Sequence, residues 1–294
     1  MVIVEMKGGL GNQLFQYSTA KFLAQQNNSP LVLDISSFEV NKYTDRKLSI
    51  LDLNLDEGIS IKETGKLTNL LKKIPYIKNK FVNNIIETEI QEFNYSELKY
   101  VNGKINILSG YFQSYKYFHL IKESLVKDLK PKIKSYKLRQ YEEEINSKQN
   151  TISLHVRRGD YVKLGWDLDV TYYMNALEIL SEKLNLNKYK NGELFVFSDD
   201  IEWCKKIFIR LLPNNFKIIF VEDNELNDYE ELYLMSICEH NIISNSTFSW
   251  WAGWLNQNHE KYVVAPEKWI KENTIQGMDL IPEEWIVVER EKCE

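Results

Sequence analysis

The chain has 294 residues, 44% hydrophobic and 13% aromatic, with only 12 Gly and 6 Pro. That is apolar surface enough for about two folded domains, and it excludes a disordered or fibrous chain. The net charge of −5 shows no basic surplus, so nucleic acid is not an expected partner, and an anionic ligand must be met by a local cationic cluster.

Val2 to Met6 reads as a buried strand, Gly8 to Gly11 as a turn, and Asn12 to Gln26 as a helix from the spacing of Leu14, Phe15, Tyr17, Ala20, Phe22, Leu23 and Ala24. Leu31 to Asp34 is a second strand, so the chain opens as a doubly wound α/β domain. Ser36 to Tyr100 has weak periodicity and is assigned to insertions or acceptor-side structure. Ile105 to Leu108 is a strand, and Lys122 to Asn150 a polar helical stretch ahead of a domain boundary near Asn150. This gives an N-terminal domain over 1–149 and a C-terminal domain over 150–294.

The second half alternates cleanly. Strands are expected at Thr151–Val156, Glu193–Ser198, Phe216–Val221, Asn241–Ser244 and Tyr262–Ala265, the last parallel strand. Helices are expected at Tyr172–Leu184, Ile201–Leu211, Tyr229–His240 and Phe248–Gln257. Such alternation predicts βαβ units and a parallel sheet. The fold class is therefore α/β, two Rossmann-like doubly wound domains facing a cleft. Ligands of such sheets bind at the carboxyl ends of strands, where the short polar motifs fall.

The first motif is His155-Val156-Arg157-Arg158-Gly159-Asp160-Tyr161. Only six of the 37 basic residues are arginine (Arg46, Arg139, Arg157, Arg158, Arg210 and Arg290), and two are adjacent here. Paired guanidiniums at a strand end can clamp a diphosphate; the plainer reading is a set of ion pairs with Asp160 capping a turn. In the second, Ser244-Asn245-Ser246-Thr247-Phe248-Ser249-Trp250-Trp251, a hydroxyl- and amide-rich turn opens a helix. Free N–H groups there make an anion site, while simple N-capping is the alternative. In the third, Ser198-Asp199-Asp200, a strand-end carboxylate can accept paired donors from guanine, or can cap the following helix.

Gly9-Leu10-Gly11-Asn12-Gln13-Leu14 nearly matches a dinucleotide fingerprint, with Asp34 at the expected distance, but Leu14 replaces the third glycine. An NAD-binding oxidoreductase is the alternative this near-match supports. Asp167-Leu168-Asp169 reads as a solvated loop rather than a metal motif, and His and Cys show no metal-ligand spacing. Trp250, Trp251 and Trp254 read as core. Cys204, Cys238 and Cys293 form no disulfide framework, the N-terminus lacks a signal peptide's apolar core, and no window approaches about 18 apolar residues. A cytoplasmic protein without an integral membrane segment is expected.

These motifs, with Gly110-Tyr111-Phe112-Gln113-Ser114, resemble in order those of the bacterial α-1,2-fucosyltransferases. The resemblance implies a GT-B type fold, GDP-β-L-fucose as donor, O2 of a β-galactoside as acceptor, inversion at the fucose carbon and no metal or other cofactor. It places the diphosphate on Arg157 and Arg158, guanine on Asp199 or Asp200 beside Ser198, and phosphate on Ser246 and Thr247, flanked by Asn245 and Phe248. Gly9, Asn12 and Gln13 fall on the fucose and acceptor side. Asp160 and His155 are the candidates for general base, with water or another carboxylate left open. The acceptor linkage, β1,3 or β1,4, stays open, and any membrane contact is peripheral, through a lipid-linked glycan.

Overall fold

The computed structural model describes every residue except 41–46, 65–79, 88–92, 188–189, 222–225, 271–272, 275–278 and 289–294. Arg46, Arg290 and Cys293 thus lie outside the described residues. The chain forms two compact units, Met1–Lys132 with Met278–Leu280, and Ile133–Gly277 with Ile281–Glu294. No helix among the described residues is long and apolar enough to cross a membrane.

The first unit is built on a parallel sheet of β1 (Val2–Glu5), β2 (Leu31–Asp34), β3 (Ser60–Lys62), β4 (Val82–Ile86) and β5 (Ile105–Ser109), ordered β3-β2-β1-β5-β4. The central strands read as continuous apolar runs because both faces are covered. The helix Leu10–Gln26 starts directly after β1 and is buried along most of its length. Gly8, at φ 81, supplies the left-handed turn between strand and helix. β3 and β4 fall in the stretch that showed no periodicity. β3 is an exposed edge, and β4 (VNNII) places two asparagines where apolar residues would alternate.

The second unit holds β6 (Thr151–Val156), β7 (Gly192–Ser198), β8 (Phe216–Phe220), β9 (His240–Ile242) and β10 (Val263–Pro266). A short antiparallel pair, β11 (Lys268–Ile270) and β12 (Asn273–Thr274), precedes β13 (Ile286–Val288). The six parallel strands run β13-β10-β9-β6-β7-β8, the doubly wound order in which the chain leaves β6 toward one edge and returns at β9 toward the other. β10 is therefore not the last parallel strand, because β13 pairs beyond it. The polar stretch before β6 is two helices, Lys122–Asp128 and Tyr136–Asn146, rather than one. Pro131, which lacks an N–H, lies between them. The second of these helices groups with the second unit through its contacts with the helix Asp228–Ile237: Ser135 N–H donates to Glu230 Oε1 (3.0 Å) and the Tyr233 hydroxyl to Glu142 Oε1 (2.6 Å). Trp250, Trp251 and Trp254 are buried against one another on the helix Thr247–Leu255, as core.

A charged pair is buried in the first unit. Lys21, 3% exposed, donates to Asp128 Oδ2, which also accepts the Tyr17 hydroxyl at 2.5 Å, while the half-exposed Asp56 lies 3.6 Å from the ammonium. Removing one partner of such a pair leaves an uncompensated charge. Asp128→Ala is expected to lower unfolding stability by about 3 kcal/mol in urea titrations, and Asp128→Asn by less; unchanged stability in Asp128→Ala would contradict this.

Candidate functional site

The switch point of the second sheet lies between β6 and β9, which pair directly through Ile152 and His240, Ser153 and Asn241, and Leu154 and Ile242. The chain runs off β6 into Arg157–Asp160 and off β9 into Ser244–Thr247. Two of the three polar motifs therefore meet at the position where doubly wound sheets bind ligands. The third, at the end of β7, is next to β6 through the pair Val156 and Ser198.

Both arginines are fixed before any ligand arrives. Arg157 bonds Asp160 Oδ1 (2.6 Å) and Asp199 Oδ2 (2.7 Å). Arg158 bonds Asp200 Oδ2 through Nε (3.0 Å) and Asp167 Oδ2 through Nη1 (3.2 Å), and its guanidinium lies 4.2 Å from the centre of the Trp203 ring. Asp199 also takes the backbone N–H of Arg158 (2.8 Å). A Cβ on Gly159 would sit 2.6 Å from Asp199 Oδ2, so a side chain there would push this carboxylate out of its present position. Asp200 caps the helix Ile201–Leu211 through Trp203 N–H (3.2 Å), and Ser198 Oγ holds the Asp200 N–H (2.9 Å). The ion-pair and capping readings thus describe the free state of Asp160, Asp199 and Asp200. Asp167 is no idle loop residue, since it holds Arg158, while Asp169 caps the helix Val170–Lys183 through Thr171 N–H (2.8 Å).

Across the switch point, Ser246 occupies the N-cap of the helix Thr247–Leu255 but makes no side-chain capping bond. Its hydroxyl and the helix's first N–H groups are not closed off by the bond that simple capping requires. Asn245 donates to the carbonyls of Trp166 (2.9 Å) and Trp269 (2.8 Å), which fastens the turn, yet its own Oδ1 is buried without a partner. A buried orphan acceptor is uncommon in a folded protein and marks a place where a donor is expected. Phe248 is half-buried, with its ring centre 5.5 Å from that of His155.

His155 is buried, with Nδ1 3.0 Å from Ser244 Oγ. Burial, and then the charge of Arg157, push its imidazole down to about 3. It is therefore neutral at ordinary pH and ties β6 to the turn after β9; it is not poised to take a proton. A group with no sequence signal lies near the same site. Glu231, in the first turn of the helix Asp228–Ile237, has its carboxyl pushed up to about 7 by burial and then by Asp228 and Asp199.

In the first unit, Gln13 is fully buried. Its amide donates to the carbonyls of Gly8 (2.9 Å) and Lys47 (2.7 Å), and its Oε1 accepts from Ile50 N–H (3.2 Å). Every polar atom is engaged, so Gln13 holds the glycine turn and does not reach a sugar, which corrects its placement on the fucose and acceptor side. Gln16 does the same between Lys7 N–H (3.0 Å) and the Gly110 carbonyl (3.1 Å). Gly9 forms the N-cap of the helix Leu10–Gln26, and Asn12 Oδ1 accepts from Gln113 (3.0 Å), so the turns after β1 and β5 are joined. Glu87, missed in the sequence, accepts the N–H groups of Tyr111 (2.5 Å) and Phe112 (2.7 Å) and holds Phe112 at φ 55. A bulky residue in the left-handed region is a strained conformation, which clusters at functional sites.

Asp34 does not support the dinucleotide reading. Its Oδ1 accepts from Ser36 N–H (3.1 Å), the Ser36 hydroxyl (2.5 Å) and Thr64 N–H (3.0 Å). Burial raises its pKa, but these bonds outweigh burial and hold the carboxyl below its usual value.

Residues 1–289 match the sequence profile described as glycosyl transferase family 11. The chain belongs to this family. It is 31% identical over 303 residues to an alpha-1,2-colitosyltransferase of Escherichia coli, covering 99% of both chains. It is 32% identical over 312 residues to the O-antigen biosynthesis glycosyltransferase WbnK of the same organism, covering 96% of this chain and 98% of the relative. A galactoside 2-alpha-L-fucosyltransferase, Sec1 of Mus musculus, is 23% identical, covering 90% of this chain and 67% of its own length. Among solved structures, a variant of Arabidopsis thaliana FUT1 in complex with GDP superposes with a TM-score of 0.56 at 15% identity, covering 92% of this chain and 71% of that one. The fucosyltransferase NodZ from Bradyrhizobium gives 0.50 at 16%, covering 85% and 90%. The fold of this family 11 glycosyltransferase is thus GT-B-like, with two parallel sheets, and the oxidoreductase alternative is set aside.

The buried histidines give a pH signature. His155 and His240 are pushed down to about 3 and about 4, in His240 by burial and then by Lys190. In the unfolded chain they protonate near about 6.5. Below that pH the unfolded state binds more protons, so each histidine lowers stability as pH falls, by up to about 1.4 kcal/mol per pH unit. Glu231 acts oppositely, because its raised folded value makes its contribution grow as pH falls through about 7. Urea titrations between about pH 6.5 and 5 should show His155→Gln less acid-sensitive than wild type, and Glu231→Gln more so. Parallel pH profiles for all three would contradict the buried neutral imidazole.

Proposed function

We propose that this glycosyltransferase transfers L-fucose from GDP-β-L-fucose to O2 of a terminal β-galactoside, with inversion, in building a cell-surface glycan. The observation that carries the reading is the pair Arg157 and Arg158, fixed by aspartates at the switch point and next to a helix start whose N-cap serine makes no side-chain capping bond.

In the reaction the acceptor hydroxyl oxygen bonds the anomeric carbon as the bond to GDP breaks. Negative charge collects on the leaving diphosphate, where fixed guanidiniums and helix N–H groups act without further reorganisation. Two positive groups already aimed at that charge remove the need for a metal ion. The donor's phosphates replace carboxylates now on the arginines, Ser246 and Thr247 complete the phosphate shell, and a released Asp199 or Asp200 is the carboxylate assigned to guanine. Asn245 Oδ1 offers the acceptor for a donor group of the ligand. The hydroxyl proton passes to Asp160, the exposed carboxylate beside Arg157. Reduced, buried Cys204 and Cys238 accord with action in the cytoplasm. A second donor, the colitose analogue of GDP-fucose, is favoured by the likeness to the colitosyltransferase.

The purified chain incubated with GDP-fucose, lactose and EDTA should release GDP and form a fucosylated trisaccharide. Arg158→Ala should lose at least about a hundredfold in rate, the usual effect of removing one donor to a developing anion. Asp160→Asn should lower kcat by about a hundredfold. Turnover of the colitose donor alone would replace fucose by its 3-deoxy analogue, and no GDP release from either donor would overturn the proposal.

A further inference from the structure

The turn that follows the arginine pair carries an apolar surface that packing does not use. The short helix Gly159–Leu164 and the residues after it leave Val162, Leu164 and Trp166 at 44%, 54% and 37% exposed. Single exposed apolar side chains are ordinary, but a group of them that includes an indole marks a place of contact.

The backbone holds Trp166 still. Gly165, at φ 66, ends the helix in the left-handed conformation, its N–H bonding the Val162 carbonyl (3.2 Å) while the Trp166 N–H reaches back to the Tyr161 carbonyl (2.9 Å). In this kind of helix stop the residue after the glycine packs on the residue five before it. Trp166 does so, with its ring centre 5.8 Å from that of Tyr161 and the planes near right angles. The Trp166 carbonyl accepts from Asn245 Nδ2 (2.9 Å), and the Tyr161 hydroxyl donates to the Asn245 carbonyl (3.4 Å). The turn after β6 is thereby fastened to the turn after β9, across the switch point. Helix termination accounts for the contact with Tyr161 and leaves the exposed part of the indole without a use in the fold.

Position sets the ligand chemistry. The Arg157 guanidinium lies 5.5 Å from the centre of the Tyr161 ring, so contacts run from this arginine through Tyr161 to Trp166. In a nucleoside diphosphate sugar the sugar is bonded directly to the second phosphate, so a diphosphate on the arginines brings the sugar beside them. L-fucose and its 3-deoxy analogue share a methyl group at C6, and with the neighbouring C–H bonds it makes an apolar face. An indole covers such a face without demanding hydrogen bonds. A hydroxyl at C6 in the same place would give up water for no partner.

We propose that Trp166 is a specificity-determining residue of the donor's sugar subsite, its indole covering the C6 methyl and adjoining C–H face of a 6-deoxyhexose whose diphosphate lies on Arg157 and Arg158. The inference deepens the proposed function and rests on its GDP-linked donor. It gives the exposed turn after the arginine motif the task of reading the transferred sugar, while the arginines read its leaving group.

Calorimetry without acceptor, on the full chain, compares GDP with GDP-fucose in wild type, Trp166→Ala and Trp166→Phe. Trp166→Ala should weaken GDP-fucose about tenfold, the low end for losing an apolar contact to one carbon group, and leave GDP at its wild-type affinity. Trp166→Phe keeps an aromatic ring and should stay within about threefold of wild type for both ligands. Saturation-transfer NMR of GDP-fucose should show the C6 methyl saturated more strongly than the ribose protons in wild type, with that excess lost in Trp166→Ala. Unchanged GDP-fucose affinity in Trp166→Ala, or equal weakening of GDP and GDP-fucose, would overturn the proposal. If Trp166→Ala does not fold, wild type alone decides, and a methyl saturated less than the ribose protons would overturn it. Wild type that binds neither GDP nor GDP-fucose would overturn the proposed function and this inference with it, whereas GDP binding without the Trp166 effect would overturn this inference alone.

Discussion

The arrangement of the second unit depends on two positive charges held still at the end of a parallel strand. Arg157 and Arg158 are each gripped by two carboxylates, and Asp199 bridges the pair by taking one side chain and one backbone N–H. A guanidinium left free would sample many rotamers and would lose that freedom on meeting a ligand. Here the loss is incurred on folding. On the proposed reading, a diphosphate entering this site would exchange one set of anionic oxygens for another, so the arginines would need little rearrangement. The four aspartates also keep two adjacent cations from repelling each other in the free chain. The features around them follow from this constraint: glycine at 159, where any Cβ would strike Asp199, and the cap of the helix Ile201–Leu211 made by the carboxylate that also holds Arg158.

The first unit solves a different problem with the same economy. Its turns at the ends of β1 and β5 carry few regular hydrogen bonds, and buried amides supply them. Gln13 and Gln16 point inward from a helix and satisfy backbone groups on Gly8, Lys47, Ile50, Lys7 and Gly110. Glu87 does the same for Tyr111 and Phe112. Polar residues in a helix this buried would be costly unless each found partners. They do, and the turns are fixed as a result.

Much of this was legible in the sequence where patterning is strong. Thr151–Val156 and Leu31–Asp34 are apolar runs because their strands are covered on both faces, and the alternation after residue 150 revealed the parallel sheet. The polar motifs sat at strand ends, so the ligand-binding end of the sheet could be inferred. What was not legible has physical causes. β3 and β4 lack an apolar period because one is an exposed edge and the other carries asparagines. β13 is three residues long. Gln13 looked like a ligand group because a buried amide and an exposed one read alike in a sequence. Asp167, Trp203 and Glu231 act through side-chain packing across separate elements, and no local pattern announces that. His155 reads as a base in the sequence, but its burial and the neighbouring Arg157 depress the basicity of an imidazole that is also bound to Ser244.

The central claim is that Arg157 and Arg158 form a preorganised diphosphate site. The most direct measurement is calorimetric titration of the full chain with GDP and with GMP, in wild type and in Arg158→Ala. The account predicts that wild type binds GDP at least about tenfold more tightly than GMP, because charge-assisted bonds to the second phosphate contribute about 1.5–3 kcal/mol, and that Arg158→Ala abolishes the difference. Equal affinity for the two nucleotides in wild type, or an undiminished preference for GDP in the variant, would contradict it.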